Sequence, residues 1–212
     1  MALKTGLATD NPMCFAEDRK GNLFFATGLE RGQRWAPGDT ATEDVGLTAP
    51  TSGITPSAGG SGSIQGVYKV ALRYVDDEGN PSNLSEITTL VATASAYTTI
   101  SYASVTVPSE GRVDHKQIWR TTDGQEVTYY LDVDDLANGA TASSSNRTDT
   151  ELRAQVAMRY VTAKGFPNAM RFLPPPTHTG VMVAFKNRMW YAVPSAYDGG
   201  SSVTVSGTTA VS

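Results

Sequence analysis

The clearest hydrophobic pattern of the chain lies between Gly66 and Ser85, in the sequence GVYKVALRYVDDEGNPSNLS. Alternate positions in its first half are apolar or aromatic, namely Tyr68, Val70, Leu72 and Tyr74. Because successive side chains of a strand point to opposite faces, this alternation predicts a strand that buries these four side chains. Lys69 and Arg73 lie on the opposite face. The acidic, Gly- and Asn-containing segment 76–80 then predicts a turn that reverses the chain.

Two further patterns of strand, charged turn and strand lie towards the two ends of the chain. The first runs from Cys14 to Thr27 and the second from Val181 to Val193. A lone hairpin of this size is not stable in water, so we expect the two hairpins to pack or pair together as one small β unit. We also expect some aromatic rings of these terminal units to stay uncovered in an isolated chain. The rings concerned are those of Phe24, Phe25, Trp35, Trp190 and Tyr191.

The segment 37–62 is rich in Gly, Pro, Ser and Thr and contains few large apolar residues. This composition predicts a linker with one short edge strand near Leu47. The glycines at the end of the segment invite comparison with a nucleotide-binding loop. They miss the G-x-G-x-x-G spacing, no G-K-[ST] follows, and a strand rather than a helix comes next. A linker is therefore favoured over a phosphate-binding loop.

Short strand patterns continue after the central turn, without a convincing helix. They cover residues 86–91, 98–107, 115–121 and 128–133, with a weaker pattern at 143–148. This number and spacing of strands predicts an all-β protein whose middle part is a β-sandwich. Residues 151–160 fit a helical turn as well as a strand, and the prolines at 174–176 predict an extended connection to the last hairpin.

Composition narrows the possible partners. The 212 residues are 40% hydrophobic, which allows one good core or two small ones. Only 18% are charged and the net charge is -4, so nothing favours binding to a nucleic acid. No apolar run approaches the roughly 18 residues of a membrane helix, and a secretion signal is not evident. Cys14 is the one cysteine, which excludes an intrachain disulfide and predicts a buried thiol.

Candidate catalytic and metal-binding residues are few. His115 and His178 are isolated, and no G-x-S-x-G, H-E-x-x-H or C-x-x-C motif occurs. The densest carboxylate set is Asp132, Asp134 and Asp135, which lacks the Gly and distal Glu of a calcium loop and is interpreted as a solvated strand end. Trp119 could stack on a carbohydrate, but burial is favoured. We assign no catalytic, cofactor-binding or metal-binding residue, and a triad assembled only in space stays open.

Four segments between residues 60 and 152 carry a family resemblance. They are the tyrosine-led strand with its Ser-Asn-Ser return at 68–85, the sequence IWRTTDG at 118–124, the tyrosines at 129–130, and Thr148-Asp149-Thr150. As a set they resemble the fibronectin type III-like modules of structural proteins of tailed bacteriophages. In an ordinary fibronectin module the tyrosine-led hairpin lies near the end, whereas here it comes early, so strand labels are not transferred. The NRMW sequence at 187–190 resembles a segment that follows such modules.

The resemblance implies a fibronectin III-like β-sandwich at 63–152. We therefore expect an N-terminal hairpin unit at 1–36, a linker at 37–62, the sandwich, and a C-terminal part at 153–212 with the proline-rich connection, the last hairpin and a polar tail. The implied function is that of a non-enzymatic structural component of a tailed phage particle, in the tail or the head-to-tail region. Such a protein binds other virion proteins, needs no cofactor, and is made in the host cytoplasm and assembled into the virion.

The assembly we expect is a symmetric ring of identical subunits, since a phage tail supplies a rotational axis. The alternative is a phage-tail module that binds a host-surface glycan or mediates adhesion, and a hydrolase acting on such glycans comes third. A glycan-binding module should carry exposed aromatic rings in a groove, and a hydrolase should carry two facing carboxylates.

Overall fold

The computed structural model of the chain describes residues 13–27, 31–159, 181–185, 188–194, 203–204 and 208–209. Strands make up 54% of it and helix 3%, which confirms the predicted all-β class. The chain divides into two compact units. The first comprises Met1–Gly46 with Leu173–Ser212, and the second comprises Leu47–Phe172.

The elements follow one another as β1 (Cys14–Glu17), β2 (Leu23–Ala26), β3 (Gln33–Trp35), β4 (Glu43–Asp44), β5 (Thr55–Asp76), β6 (Thr88–Ala103), β7 (Val113–Thr121), β8 (Thr128–Ala137), β9 (Ser143–Ser145), α1 (Asp149–Arg153), β10 (Ala157–Arg159), β11 (Val181–Phe185), β12 (Arg188–Pro194), β13 (Val203–Thr204) and β14 (Thr208–Thr209).

The first unit contains both predicted terminal hairpins. Strands β1 to β4 form one antiparallel sheet in that order, and β12 pairs with β11, β13 and β14 in another. Asp18 shapes the first turn, because its carboxylate accepts hydrogen bonds from the backbone N–H groups of Lys20 and Asn22 at 2.8 and 2.9 Å. Strand β11 lies beside β1 and β2, so the two hairpins contact each other as predicted. Phe24, Ala26 and Val45 form a small core there.

The second unit is built on one six-stranded antiparallel sheet with the order β10-β8-β7-β5-β6-β9. Its main core draws on β5, β6 and β7 together, with Leu72, Ile100 and Ile118 each fully buried. Strand β9, at one end of the ladder, contacts β8 near the other end, so the sheet curls around that core. The predicted two-sheet sandwich is not confirmed, because all six strands belong to a single ladder.

The prediction that residues 37–62 form a linker is wrong for most of their second half, because β5 begins at Thr55 rather than near Gly66. The first half of the segment contains the short strand β4. Residues 55–59 pair with residues 99–103 of β6, which joins the two strand patterns predicted at 86–91 and 98–107 into one strand. Backbone hydrogen bonds to β6 fix this Gly- and Ser-rich sequence as a strand, even though its side chains bury little apolar surface.

Glycines allow β5 to bend in its middle, where its register with β6 shifts between Gly59 and Gly66. Gly66 has a φ of 145°, and a Cβ atom there would lie 2.1 Å from Oδ1 of Asp123. A Cβ atom on Gly60 would lie 2.0 Å from the hydroxyl oxygen of Thr98. These residues form a strand bend of the kind where glycine is required, and the segment is not a phosphate-binding loop.

The predicted facing of the central strand is confirmed. Tyr68, Val70, Leu72 and Tyr74 all belong to the main core. Lys69 and Arg73 are half-buried on the other face. That face carries a second, smaller apolar cluster, which the alternation did not predict because it draws on distant elements. Its buried members are Ala71, Leu84, Trp119, Tyr129 and Met158.

Two serines explain the return of the chain after the central turn. The N–H of Leu72 donates to Oγ of Ser85 at 2.9 Å, and the N–H of Ser85 donates to the carbonyl of Leu72 at 2.8 Å. Ser82 binds Tyr74 in the same two ways, at 3.0 and 2.9 Å. The side-chain hydroxyls thus satisfy backbone groups of β5 at the point where β6 no longer pairs with it.

Residues 151–160 combine both structures that their sequence allowed. Helix α1 begins after Thr148, whose hydroxyl accepts from the N–H of Glu151 while the Glu151 carboxylate accepts from the N–H of Thr148. This capping box fixes the start of the short helix. Strand β10 then pairs with β8, and Met158 lies opposite Tyr129. The proline run at 174–176 lies outside the described residues.

Candidate functional site

A buried network of polar side chains surrounds Asp132 on β8. Its carboxylate accepts hydrogen bonds from the hydroxyls of Tyr102 and Ser145, the latter at 2.7 Å, and from Nε of Arg120 at 3.1 Å. The side chains of Arg120 and Asp132 are both 0% exposed. The network joins β6, β7, β8 and β9 across the curled sheet, so it holds together strands that are not neighbours in the ladder.

The Arg120 guanidinium is the cationic centre of this network. Its Nη2 donates to the carbonyl of Arg147 at 2.9 Å, and its Cζ lies 5.1 Å from the centre of the Tyr68 ring. Burial acts to lower the pKa of Arg120, but Tyr102 and Asp132 outweigh it and the pKa is raised. A buried guanidinium with a carboxylate, a carbonyl and an aromatic face around it is a structural cross-link.

The network also connects two of the motifs that carry the family resemblance. Nη1 of Arg120, in the IWRTTDG segment, lies 3.8 Å from Oδ1 of Asp149 in the Thr148-Asp149-Thr150 segment. The other oxygen of Asp149 accepts from the N–H of Asp123 at 2.9 Å. Asp123 in turn accepts from the N–H of Val67 on β5 at 2.8 Å. Segments separated by more than twenty residues in sequence therefore form one bonded assembly.

The two tyrosines of the network have perturbed acidities. Burial, reinforced by the charge of Asp149, raises the pKa of Tyr68 to about 12. Burial and the Asp132 carboxylate raise the pKa of Tyr102 well above its ordinary value. Both phenols therefore keep their protons in the folded chain at pH values where an exposed tyrosine, with a pKa of about 10, ionises.

We expect the free energy of unfolding to fall as the pH rises from about 10 towards 12. Below pH 10 the phenol of Tyr68 is protonated in both states, so its contribution to stability is fully present. Above that pH the unfolded chain loses the proton first, and unfolding is favoured. Urea denaturation at a series of pH values measures this effect, and Tyr68→Phe should reduce the slope.

Tyr130→Phe is the matched control, because it removes a phenol from a half-buried side chain outside the network. Other groups also titrate in this pH range; for example, burial lowers the pKa of Arg73 to about 10. Their contribution to the pH slope cancels when each variant is compared with the parent chain. An equal pH slope for Tyr68→Phe and the parent chain would show that the phenol of Tyr68 does not contribute to the alkaline loss of stability.

Lys116 on β7 is a second buried cation. Its ammonium group donates to three backbone carbonyls, those of Thr106, Asn138 and Ala140. Burial lowers the pKa of Lys116. Three donors directed at three acceptors satisfy the ammonium group and tie the turn after β8 to the loop that follows β6.

We did not predict this network of buried charges from the sequence. Lys116, Ile118 and Arg120 share one face of β7, and Ile118 belongs to the main core. Lys116 and Arg120 alternate with the core residue Ile118, so this pattern predicts that both cations are buried and have hydrogen-bond partners. That periodicity was the available signal, whereas the partners on β6, β8 and β9 depend on the fold of the whole unit.

The carboxylates at 132, 134 and 135 do not form a common site. Asp132 is buried in the network, which corrects the expectation of a solvated strand end for that residue, while Asp134 and Asp135 are exposed. Asp134 accepts from Nε2 of Gln117 at 3.0 Å and lies 3.8 Å from Nε2 of His115. Within the described ranges, no group of three or more side chains that could hold a metal ion comes together. His178 lies outside those ranges.

Trp119 is buried, which is the interpretation that the sequence favoured over carbohydrate stacking, and its ring is covered. The Arg73 guanidinium lies 5.6 Å from the ring centre, and Nη1 of Arg73 is 3.5 Å from the sulfur of Met158. The indole is 4% exposed and has no open face for a sugar ring. The geometry therefore gives Trp119 a packing role.

A small cavity of about 60 Å³ lies beside the end of β5, lined by Tyr74, Thr106 and Glu110 among others. Burial acts to raise the pKa of Glu110, but hydrogen bonds from Thr48 and Arg112 lower it overall. The Thr48 N–H donates to Oε1 at 2.9 Å and Arg112 Nη2 donates to Oε2 at 3.1 Å. A space of this size holds a few water molecules, so the cavity does not offer a substrate site.

The terminal aromatic rings differ from expectation where they are described. Phe24 and Phe25 are 2% and 6% exposed, so these two rings are not among those that stay uncovered. Phe24 packs with Ala26 and Val45 in the small core, and the ring centre of Phe25 lies 6.1 Å from that of Phe15. Trp35 is half-buried and donates to the carbonyl of Asp39, while Phe15 is 57% exposed. The side chains of Trp190 and Tyr191 lie outside the described residues.

Cys14 is half-buried beside the small core of the first unit rather than fully buried. Among the described residues, no helix combines the length and apolar character needed to cross a membrane. Comparison with protein-family models and with curated proteins finds no match to the chain.

Proposed function

We propose that this chain is a non-enzymatic structural component of a tailed phage particle, in the tail or the head-to-tail region, which works by docking on neighbouring subunits. The observation that carries the proposal is the contact between the IWRTTDG segment and the Thr148-Asp149-Thr150 segment. Arg120 pairs with Asp149 at 3.8 Å, and the Asp123 N–H donates to the same carboxylate at 2.9 Å. Motifs that cooperate in space are better support for a shared architecture than separate short matches would be.

The use of charge in the second unit agrees with a role in assembly. Arg120, Asp132 and Lys116 are buried and directed at partners within the chain. Side chains held in this way stabilise a scaffold and have no access to a substrate. The partners that we propose are other virion proteins and further copies of the chain, arranged in a symmetric ring.

The test is the composition of purified particles from a phage whose genome encodes this sequence. We expect mass spectrometry to find the chain in the particles at a fixed copy number, and immunogold labelling to mark the tail or the neck. Particles from the same genome with the gene interrupted are the control, and they should lack both the chain and the label. A chain that is abundant in the lysate and absent from purified particles would refute the proposal.

A further inference from the structure

The turn that follows β8 contains an Asn-Gly pair. Asn138 is followed by Gly139, and no other asparagine of the sequence precedes a glycine. The N–H of Ala140 donates to the carbonyl of Ala137 at 3.0 Å, so Asn138 and Gly139 occupy the two central positions of a β-turn. The bond that closes this turn does not use the N–H of Gly139, and Gly139 is exposed. Water and hydroxide therefore have access to that N–H group.

Covalent structure alone keeps the backbone nitrogen of Gly139 close to the side-chain amide of Asn138. Attack of this nitrogen on Cγ of Asn138 closes a five-membered ring, so the two reacting atoms are held near each other without any further contact. Glycine favours the attack because it has no Cβ atom beside the nitrogen. The pair thus has the geometry for self-modification, and the surroundings determine how readily the nitrogen reacts.

Lys116 supplies the charge that such a reaction needs. The nitrogen attacks after losing its proton, and the negative charge of the resulting anion is shared with the carbonyl oxygen of the same peptide group, that of Asn138. Nζ of Lys116 donates to this oxygen at 2.9 Å and also donates to the carbonyl of Ala140. An ammonium group fixed at the oxygen stabilises the anion, as oxyanion-binding groups do in enzymes. The buried cation therefore makes the N–H of Gly139 more acidic.

The side-chain amide of Asn138 is held on one side. Nδ2 donates to the carbonyl of Val113, at the start of β7. Oδ1 is buried and accepts no hydrogen bond from the described part of the chain. Loss of Nδ2 therefore costs the fold one hydrogen bond, and the carboxylate that replaces the amide has a charge opposite to that of Lys116.

We propose that Asn138 is a self-modification site, at which the backbone nitrogen of Gly139 displaces the side-chain amide and asparagine becomes aspartate or isoaspartate. The bond between the Gly139 nitrogen and Cγ forms, the bond between Cγ and Nδ2 breaks, and Nδ2 leaves as ammonia with the proton of the Gly139 N–H. A water molecule then opens the cyclic imide at either carbonyl, adding its hydroxyl group to carbon and its proton to nitrogen. The reaction consumes water, releases ammonia and involves no oxidation or reduction.

The modification changes how the turn between β8 and β9 is anchored. Aspartate removes the donor to the carbonyl of Val113. Isoaspartate also lengthens the backbone between Ala137 and Ala140, because the chain then runs through the former side chain. Either product makes the chain more negative. This inference concerns a covalent change within one chain, so it does not depend on the proposed function.

The experiment incubates the purified full chain in mildly alkaline buffer and follows its intact mass. We expect a gain of about 1 Da per chain, which peptide mapping by tandem mass spectrometry should place at Asn138. Asn146 is the internal control, because it is exposed but is followed by Arg147. It should convert at least about tenfold more slowly than Asn138, since the side chain of Arg147 hinders attack by the adjacent nitrogen.

Gly139→Ala tests the ring closure. A Cβ atom on Gly139 would have no atom within 4 Å other than those of its chain neighbours, so the variant should fold like the parent chain. The mass gain at Asn138 should become at least about tenfold slower. Lys116→Met should slow the gain at least about threefold, and Lys116→Arg should keep most of the parent rate because it restores the charge. Circular dichroism checks the fold of each variant.

Hydrogen exchange of the Gly139 N–H, measured by NMR on the parent chain, tests the effect of Lys116 without a substitution. We expect this exchange to be no slower than in a peptide of residues 135–142, in which the ammonium group is absent. The proposal is overturned if Asn138 keeps its amide in the parent chain or if Gly139→Ala gains mass at the parent rate. The role of Lys116 is overturned by slower exchange than in the peptide, or by a folded Lys116→Met variant that reacts at the parent rate.

Discussion

Replacing Asp132 by alanine should lower the free energy of unfolding by about 3–5 kcal/mol, the largest loss that we expect from a single substitution. The change removes the carboxylate that binds Arg120, Tyr102 and Ser145, and it leaves the guanidinium buried without its main counter-charge. The cost arises from the unpaired charge that remains rather than from the pair itself. Urea denaturation at neutral pH measures it.

Asp134→Ala is the control, because Asp134 is exposed on the same strand. It should change the free energy of unfolding by no more than about 0.5 kcal/mol. The double variant Arg120→Met/Asp132→Leu should lose less stability than the sum of the two single variants, since it leaves no isolated charge. Equal losses for Asp132→Ala and Asp134→Ala would contradict the buried network.

Truncation of Leu72 to alanine should cost about 2–5 kcal/mol. Leu72 is 0% exposed in the main core, so its removal leaves a cavity between β5 and the strands around it. The measurement is again the free energy of unfolding from urea denaturation. Lys69→Ala on the opposite face should change the free energy of unfolding by no more than about 0.5 kcal/mol. Lys69 lies outside the main core, and its ion pair with the exposed Glu126 is screened by solvent. Comparable losses at both positions would mean that the facing of β5 is misassigned.

The sequence predicts the central strand and its turn well because the pattern that specifies them lies within neighbouring residues. Alternation from Tyr68 to Tyr74 gives the buried face, and the acidic turn gives the reversal. The two terminal hairpins are predicted for the same reason, since each is a short apolar strand, a charged turn and a second apolar strand. Such patterns need no knowledge of distant residues.

The features that were missed depend on partners far along the chain. Thr55 to Gly59 have the composition of a linker, and only their pairing with β6 makes them a strand. The partners of Arg120 likewise come from β8 and from the segment between β9 and α1, so its burial could be suspected from its phase with Ile118 but its partners could not be worked out. Long-range pairing overrides local composition where backbone hydrogen bonds, rather than side chains, supply the specificity.

The two serines that follow the central turn have a consequence for how the segment 82–85 stays aligned with β5. Ser82 and Ser85 each bind one particular residue of β5 through both backbone and side chain, and each hydroxyl also donates to the carbonyl of the residue that follows it. A shift by one residue would break the four bonds to Leu72 and Tyr74 at once and leave buried N–H groups unsatisfied. The alignment is therefore encoded beyond the turn, in two hydroxyl groups. Asp77 and Glu78 at the solvent-exposed tip are released from that task and can vary in sequence, whereas Gly79 has a φ of 82°, which favours glycine.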